Sequence, residues 1–170
     1  MQGIAIDFET NGFYGSSVLS VAAIKFTASW ETGNIHRIET FERHYHPTEK
    51  WNRHAQAVNR LSSSKSEKLR AGASYCYHFR DDHALSSFAS DAEFAVAHNA
   101  SFDSHFAKLP LPWICTMKLG GGRLADAAKA RVINVNETCL HHALYDTEIC
   151  LALFAHLLRE GKVPPPTSIP

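Results

Sequence analysis

Three strand-like stretches crowd into the first 45 residues with no helical pattern between them, and no other feature constrains the fold as much. Gln2 to Glu9 alternates, with Ile4, Ile6 and Phe8 on one side and Ala5, Asp7 and Glu9 on the other. Asn11-Gly12 and Gly15-Ser16-Ser17 mark a connection, after which Val18 to Phe26 reads as a largely buried strand. Gly33-Asn34 turns the chain into a third alternating run, Ile35 to Tyr45. Short turns between consecutive strands make an antiparallel meander, and its apolar faces need helices or further strands to cover them.

Pro47 ends this sheet run. Trp51 to Leu61 predicts a helix, which the polar Ser62–Ser66 stretch breaks, leaving 62–74 as the least ordered part of the chain. Asp81 or Asp82 caps a helix running through Leu85 and Phe88. Glu93 to Ala97 has the short apolar character of a buried parallel strand, and Ser101 caps a helix through Phe106 to Leu109 that Pro110 stops. Trp113 to Thr116 supplies a fifth strand, and Gly120-Gly121-Gly122 breaks the chain before a short helix over Leu124 to Ala130. The strongest helical pattern runs from about Leu140 to Arg159, with Leu140, Leu144, Leu151, Phe154 and Leu158 on one stripe. The expected architecture is α/β: a mixed five-stranded sheet, three antiparallel strands then parallel ones, flanked by helices. It forms one domain over residues 1–161, followed by an extended, exposed proline-rich tail over 162–170.

Composition limits the function classes. Seventeen basic and seventeen acidic residues balance, which argues against a global field gripping long duplex DNA and leaves local patches open. One such patch is the segment 51–80, where Arg53, Arg60, Lys65, Lys68, Arg70 and Arg80 face Glu67 alone; it reads equally as a solvated surface or a phosphate-facing flank. No run approaches the roughly 18 apolar residues of a membrane span, and the start lacks a signal-peptide pattern. Cys76, Cys115, Cys139 and Cys150 are far apart, which predicts reduced core thiols in a cytoplasmic protein rather than a zinc site or disulfide framework.

Four acids and a histidine stand out against this background. Asp7 and Glu9, two apart on a strand, project from one face roughly 7 Å apart. They repel unless cations neutralise them, although such a pair also marks strand ends entering solvent. Asp103 falls in the first turn of a helix, where the dipole favours a carboxylate in any case. Asp146 lies about two turns into the long last helix, beside its apolar stripe, and either bonds within the fold or binds metal. As a set, the four suit two hard divalent cations, Mg²⁺ or Mn²⁺, about 4 Å apart, which stabilise the attacking and leaving oxygens of a phosphodiester displacement. His141, near the start of the last helix, belongs to the residue class that accepts a proton from water at neutral pH.

These segments resemble the three motifs of the DnaQ-like DEDDh family of 3′–5′ exonucleases, which have an RNase H-like fold. Asp7-Phe8-Glu9-Thr10-Asn11-Gly12 is similar to its first motif, His98 to Asp103 to its second, and His141 to Asp146 with Thr147-Glu148 to its third. Val18 to Ile24 resembles the family's second strand, so the likeness spans nearly the whole chain. Ser20 stands where many relatives have an acid, Val58-Asn59-Arg60-Leu61 stands where V-H-G-I is common, and 115–140 matches poorly.

The resemblance implies stepwise hydrolysis of single-stranded DNA from its 3′ end, releasing nucleoside monophosphates. Asp7 would bridge both metals, Glu9 and Asp146 would complete the site of the metal that activates water, Asp103 would hold the second metal through water, and His141 would be the general base. Thr10, Phe13, His98 and Asn99 are candidates for contacts to the terminal nucleotide. His98, after a buried strand, reads more readily as a residue that orients neighbours or caps the strand end. His142 stands where a sister group carries a catalytic tyrosine, and its identity with His141 beside it favours the histidine subgroup. An exoribonuclease or oligoribonuclease is the alternative within the same chemistry, and a catalytically silent nucleic-acid-binding module is the alternative outside it. The expected partner is a single strand with a free 3′ end, DNA favoured over RNA, and a polymerase or another nucleic-acid-processing complex is a candidate partner.

Overall fold

The computed structural model describes residues 1–168. β1 (Gln2–Thr10), β2 (Val18–Ala28) and β3 (Ile35–His44) form the antiparallel meander. β4 (Phe94–Ala97) joins the free side of β1 in parallel, and β5 (Trp113–Cys115) joins β4 in parallel, giving the order β3-β2-β1-β4-β5. This is the expected mixed sheet, with the acid-bearing strand β1 at its centre. The helices are α1 (Arg53–Asn59), α2 (Ser63–Leu69), α3 (Ala84–Phe88), α4 (Ala100–Ala107), α5 (Thr116–Gly120), α6 (Leu124–Lys129) and α7 (Ala143–Arg159).

The alternation of β1 divides the core in two. Ala5 joins Ile24, Phe26, Phe94 and Val96 beneath α7, whose Leu153, Phe154 and Leu157 are fully buried. Ile4, Ile6 and Phe8 face the other way, against Leu85 of α3, Ala107 of α4 and Tyr45. Fully burying a side chain such as Phe154 or Leu157 contributes about 1.5–3 kcal/mol, so α7 is held by its packed stripe more than by helix propensity. Gly33, at φ +69, turns the chain against α7 where a Cβ would lie 2.4 Å from Arg159 Cγ.

Several local expectations are corrected. The 62–74 stretch is not merely a break: Ser62 accepts a hydrogen bond from the Lys65 backbone N–H and so starts α2, while Arg60 (φ 58) ends α1 in the left-handed region. Arg70 then donates to the carbonyls of His44, Tyr75 and Cys76, fastening the segment to the end of β3. Asn99 rather than Ser101 precedes α4, because the chain is already helical at Ala100. His83, not Asp81 or Asp82, is the N-cap of α3 and caps it with no side-chain bond. Asp82 stands one residue earlier and accepts from the Ala84 backbone N–H, and Arg43 and Tyr45 donate to the same carboxylate. The last helix begins at Ala143, not Leu140, so Asp146 lies in its first turn rather than two turns in.

The tail is not wholly exposed: Val163 is buried, its carbonyl accepts from Trp30 Nε1, and residues 166–168 make a 3₁₀ turn. The last two residues of the expected tail lie outside the described ones. All four cysteines are free, but Cys76 is exposed and only Cys150 is a fully buried core thiol. No helix among the described residues is long and apolar enough to cross a membrane.

Candidate active site

Parallel pairing sends the C-terminal ends of β1 and β4 to the same edge of the sheet, where open α/β sheets commonly bind ligands. Asp7 and Glu9 lie there on the α7 side, opposite Ala22 and Ser20 of β2. The register slips between Glu9 and Thr10, ending the regular ladder just past the acids. Asp103 is delivered by the first turn of α4, directly after β4, and is only 3% exposed. Asp146 is delivered by the first turn of α7. The next residue, Thr147, fixes the height of that turn by donating to the carbonyls of Ala143 and Ala22.

His141 sits before α7 in the left-handed region, φ 63, a conformation that costs a non-glycine residue free energy. Its backbone N–H donates to Asp146 Oδ2 at 3.0 Å, and this bond holds the turn. Ligand atoms of Glu9, His141 and Asp146 all lie within 4.8 Å of one another. A cleft of about 1030 Å³ contains Asp7, Glu9, Asp103, Asp146 and His141, together with Thr10, Phe13, His98 and Asn99. The nine residues given a site role from the sequence therefore border the same space, whereas His142 lies outside it.

Electrostatically the centre is unbalanced. Burial, then Asp103, Glu9 and Asp146, hold the Asp7 carboxyl well above the ordinary carboxylate range. Burial pushes Glu9 up to about 8, with Asp146 and Asp103 adding to it, and burial pushes Asp103 to about 8 although the Phe8 backbone N–H opposes the rise. Asp146 is raised for the same first reason and restrained by the His141 backbone. Asp103 Oδ1 and Asp146 Oδ1 are buried without a hydrogen-bond partner. Orphaned carboxylate oxygens beside mutually repelling acids fit a hard divalent cation, which would supply the missing positive charge.

The supporting residues behave differently from one another. His98 contacts Thr116 Oγ1 through Nδ1 (3.0 Å) and the Gly122 carbonyl through Nε2 (3.2 Å), so both ring nitrogens are engaged within the fold. The Thr10 hydroxyl donates to the Gly12 carbonyl, which leaves Thr10 shaping the turn. Phe13 is 87% exposed at the cleft rim.

Sequence reasoning missed the wall made by α1 and by the glycine-rich loop. Asn52, His54, Ala55, Val58 and Asn59 form one side, and Met117, Arg123, Leu124 and Asp126 contribute on the other. Buried Asn59 donates to the Thr10 carbonyl and accepts from the Leu61 N–H, tying α1 to the end of β1. Asn11 similarly bonds Glu49, the Lys50 carbonyl and the Asn52 N–H. The turn asparagines were the available signal, since buried amides that bond backbone need no periodicity. None of the six basic side chains of 51–80 lines the cleft; Arg60 instead donates to the Thr138 carbonyl.

A central strand bearing two acids, two more acids from helix starts, and this strand order define the class: a DnaQ-like exonuclease fold. Particular relatives agree. Exodeoxyribonuclease 10 of Escherichia coli strain K12 is 42% identical over 78 residues, covering 39% of this chain and 36% of that protein's length, and the same protein of strain CFT073 matches equally. Among solved structures, a complex of Exonuclease X with 5′-overhanging duplex DNA aligns at TM-score 0.66 and 25% identity, covering 95% of this chain and 94% of that one. A full-length 3′-exonuclease and a 3′-exonuclease recognising the 3′ end of a histone mRNA stem-loop share the fold, each at TM-score 0.59 and 11% identity. Both alignments cover 94% of this chain and 82% of the other. No family model matches.

Proposed function

We propose that this protein is a metal-dependent 3′–5′ exonuclease of the histidine-based kind, which shortens single-stranded DNA and releases nucleoside 5′-monophosphates. One observation carries the reading: four convergent carboxylates, raised in pKa and with two oxygens unpartnered, stand within one cleft beside an unencumbered imidazole. The name of the curated relative and the duplex DNA bound to Exonuclease X support DNA as the substrate.

Asp7, Glu9, Asp103 and Asp146 would hold two Mg²⁺ or Mn²⁺ ions, which when bound supply Lewis-acid stabilisation of the phosphate charge and acidify water. Asp7, whose carboxyl feels the charge of the other three, would be one of the ions' ligands. His141 accepts a proton from the attacking water at its imidazole, and the fixed turn before α7 keeps that ring beside Glu9 and Asp146. The oxygen so generated bonds to phosphorus as the P–O3′ bond breaks. The 3′ oxygen takes a proton and remains on the shortened strand. Phe13 offers an apolar surface for the terminal base, and Arg123 at the rim offers a guanidinium to phosphate. A strand end must enter the cleft, and a single strand does so without the cost of unpairing.

The test is incubation of wild type and Asp7→Ala with 3′- and 5′-labelled single-stranded DNA and RNA, in Mg²⁺, Mn²⁺ or EDTA. Stepwise 3′ shortening of DNA with metal, absent in EDTA and in Asp7→Ala, is the expected result. Intact substrates under every condition would end the enzyme reading. Shortening of RNA alone would move it to an exoribonuclease.

A further inference from the structure

A second group of metal-ligating side chains lies outside the cleft. Glu42 and His44 project from the same face of β3, two residues apart, and His142 stands at the residue before α7. One carboxylate oxygen, Glu42 Oε1, lies 3.8 Å from His44 Nε2 and 3.8 Å from His142 Nε2. The ligand atoms of all three fall within 4.8 Å of one another. They border a pocket of about 410 Å³ whose other walls include Leu69, Gly72 and Tyr75.

Two features separate this cluster from an accidental surface pairing. The first is His44 itself: it is 6% exposed, and its Nε2 is buried without a hydrogen-bond partner while aimed at Glu42. A buried imidazole nitrogen left unpaired costs about 1–3 kcal/mol unless something occupies it. The second is the donor set. Two imidazoles and one carboxylate suit a borderline divalent ion rather than Mg²⁺, which prefers oxygen ligands and dehydrates reluctantly. Tetrahedral Zn²⁺ with ligands near 2.1 Å needs donors about 3.4 Å apart. The two 3.8 Å separations from Glu42 are a few tenths of an ångström wider, and the two imidazoles, within 4.8 Å of each other, draw together by a turn of the accessible His142 ring. Glu42 and His142 are on the accessible side and have room to make that adjustment.

We propose that Glu42, His44 and His142 form a separate Zn²⁺-type site with its fourth position open to water. The nearest cations, Lys65 and Arg70, do not exclude this, since Arg70 is committed to three backbone carbonyls and Glu42 supplies the countercharge. Occupancy joins β3 to the residue that immediately follows His141. The ion therefore clamps the segment presenting that imidazole without touching the four acids.

The experiment is calorimetric titration of Zn²⁺ into the intact protein held in excess Mg²⁺, with Co²⁺ absorption as a second readout of tetrahedral nitrogen–oxygen ligation. Wild type and Asp146→Asn bind one equivalent with a Kd of about 10 µM or tighter. Glu42→Gln and His142→Gln weaken that event by tenfold or more, and both positions are accessible enough to leave folding intact. Loss of the event in Asp146→Asn with retention in Glu42→Gln and His142→Gln would overturn the proposal, because the acidic cleft would then be the site. Absence of any Zn²⁺ event in wild type would overturn it as well. Neither readout requires nuclease activity, so its outcome is independent of the proposed function.

Discussion

Replacing Asp103 with asparagine sets folding against chemistry. The carboxyl is 3% exposed and burial holds it at about 8 against an ordinary 3.8. A raised carboxylate keeps its proton in the fold while the unfolded chain releases it. The stability linked to that proton is therefore complete below about pH 4 and is lost as pH rises through 8. A displacement from 3.8 to about 8 corresponds to a ceiling of about 6 kcal/mol at about 1.4 kcal/mol per pKa unit. Local relaxation around the ionised group lowers this to about 2 kcal/mol, within the range for an unpaired buried polar group. Asparagine keeps the shape and can still accept the Phe8 N–H, but it carries no charge.

In EDTA near pH 8, Asp103→Asn should therefore be more stable than wild type by about 2 kcal/mol, or about 4–8 °C in melting temperature for a domain of this size. Near pH 4 the two proteins should melt together. Adding Mg²⁺ should stabilise wild type more than the variant, while the variant loses its nuclease activity. Thermal unfolding followed by circular dichroism at both pH values, with and without Mg²⁺, measures the three stability outcomes, and shortening of labelled DNA measures the fourth. A variant less stable than wild type at pH 8 in EDTA, or an equal difference at both pH values, would refute the reasoning that burial and mutual repulsion destabilise the bare cleft.

Other substitutions separate chemistry from support. His141→Ala should lower turnover by about 10²-fold or more in saturating Mg²⁺ with little change in melting temperature, as steady-state kinetics would show. His98→Ala should do the reverse, costing about 1–3 kcal/mol because it removes the partners of Thr116 and the Gly122 carbonyl; denaturant unfolding reads this. Phe13→Ala, at an 87% exposed position, should leave stability within about 0.5 kcal/mol. It should raise KM for a single-stranded substrate more than it lowers kcat, and unchanged KM would remove Phe13 from the contact surface.

Period-two alternation placed β1 to β3 in the sequence because one strand's two faces meet two different cores, and Ile4, Ile6 and Phe8 separated cleanly from Ala5, Asp7 and Glu9. The acids were legible because motif order follows chain order even though their convergence is tertiary. What stayed hidden depends on single hydrogen bonds. The start of α7 at Ala143 follows from His141 turning left-handed onto Asp146, which a stripe beginning at Leu140 cannot reveal. α2 exists because one serine caps it, in a stretch whose composition reads as a breaker. The Asn59 tie between α1 and Thr10 leaves no periodic trace.

The outer strands of the sheet have a consequence for how copies of this protein behave together. β5 is three residues long, too short to template a partner. β3 is the longer edge, and along it Arg37, Glu39 and Glu42 are exposed charges, with Arg37 reaching back to Glu148 of α7. A second molecule adding its own β3 there would bring charged side chains into register and strip them of water. Crowded solutions of the folded protein should therefore resist strand-by-strand annealing, and light scattering that stays flat with rising concentration and moderate salt would express that protection.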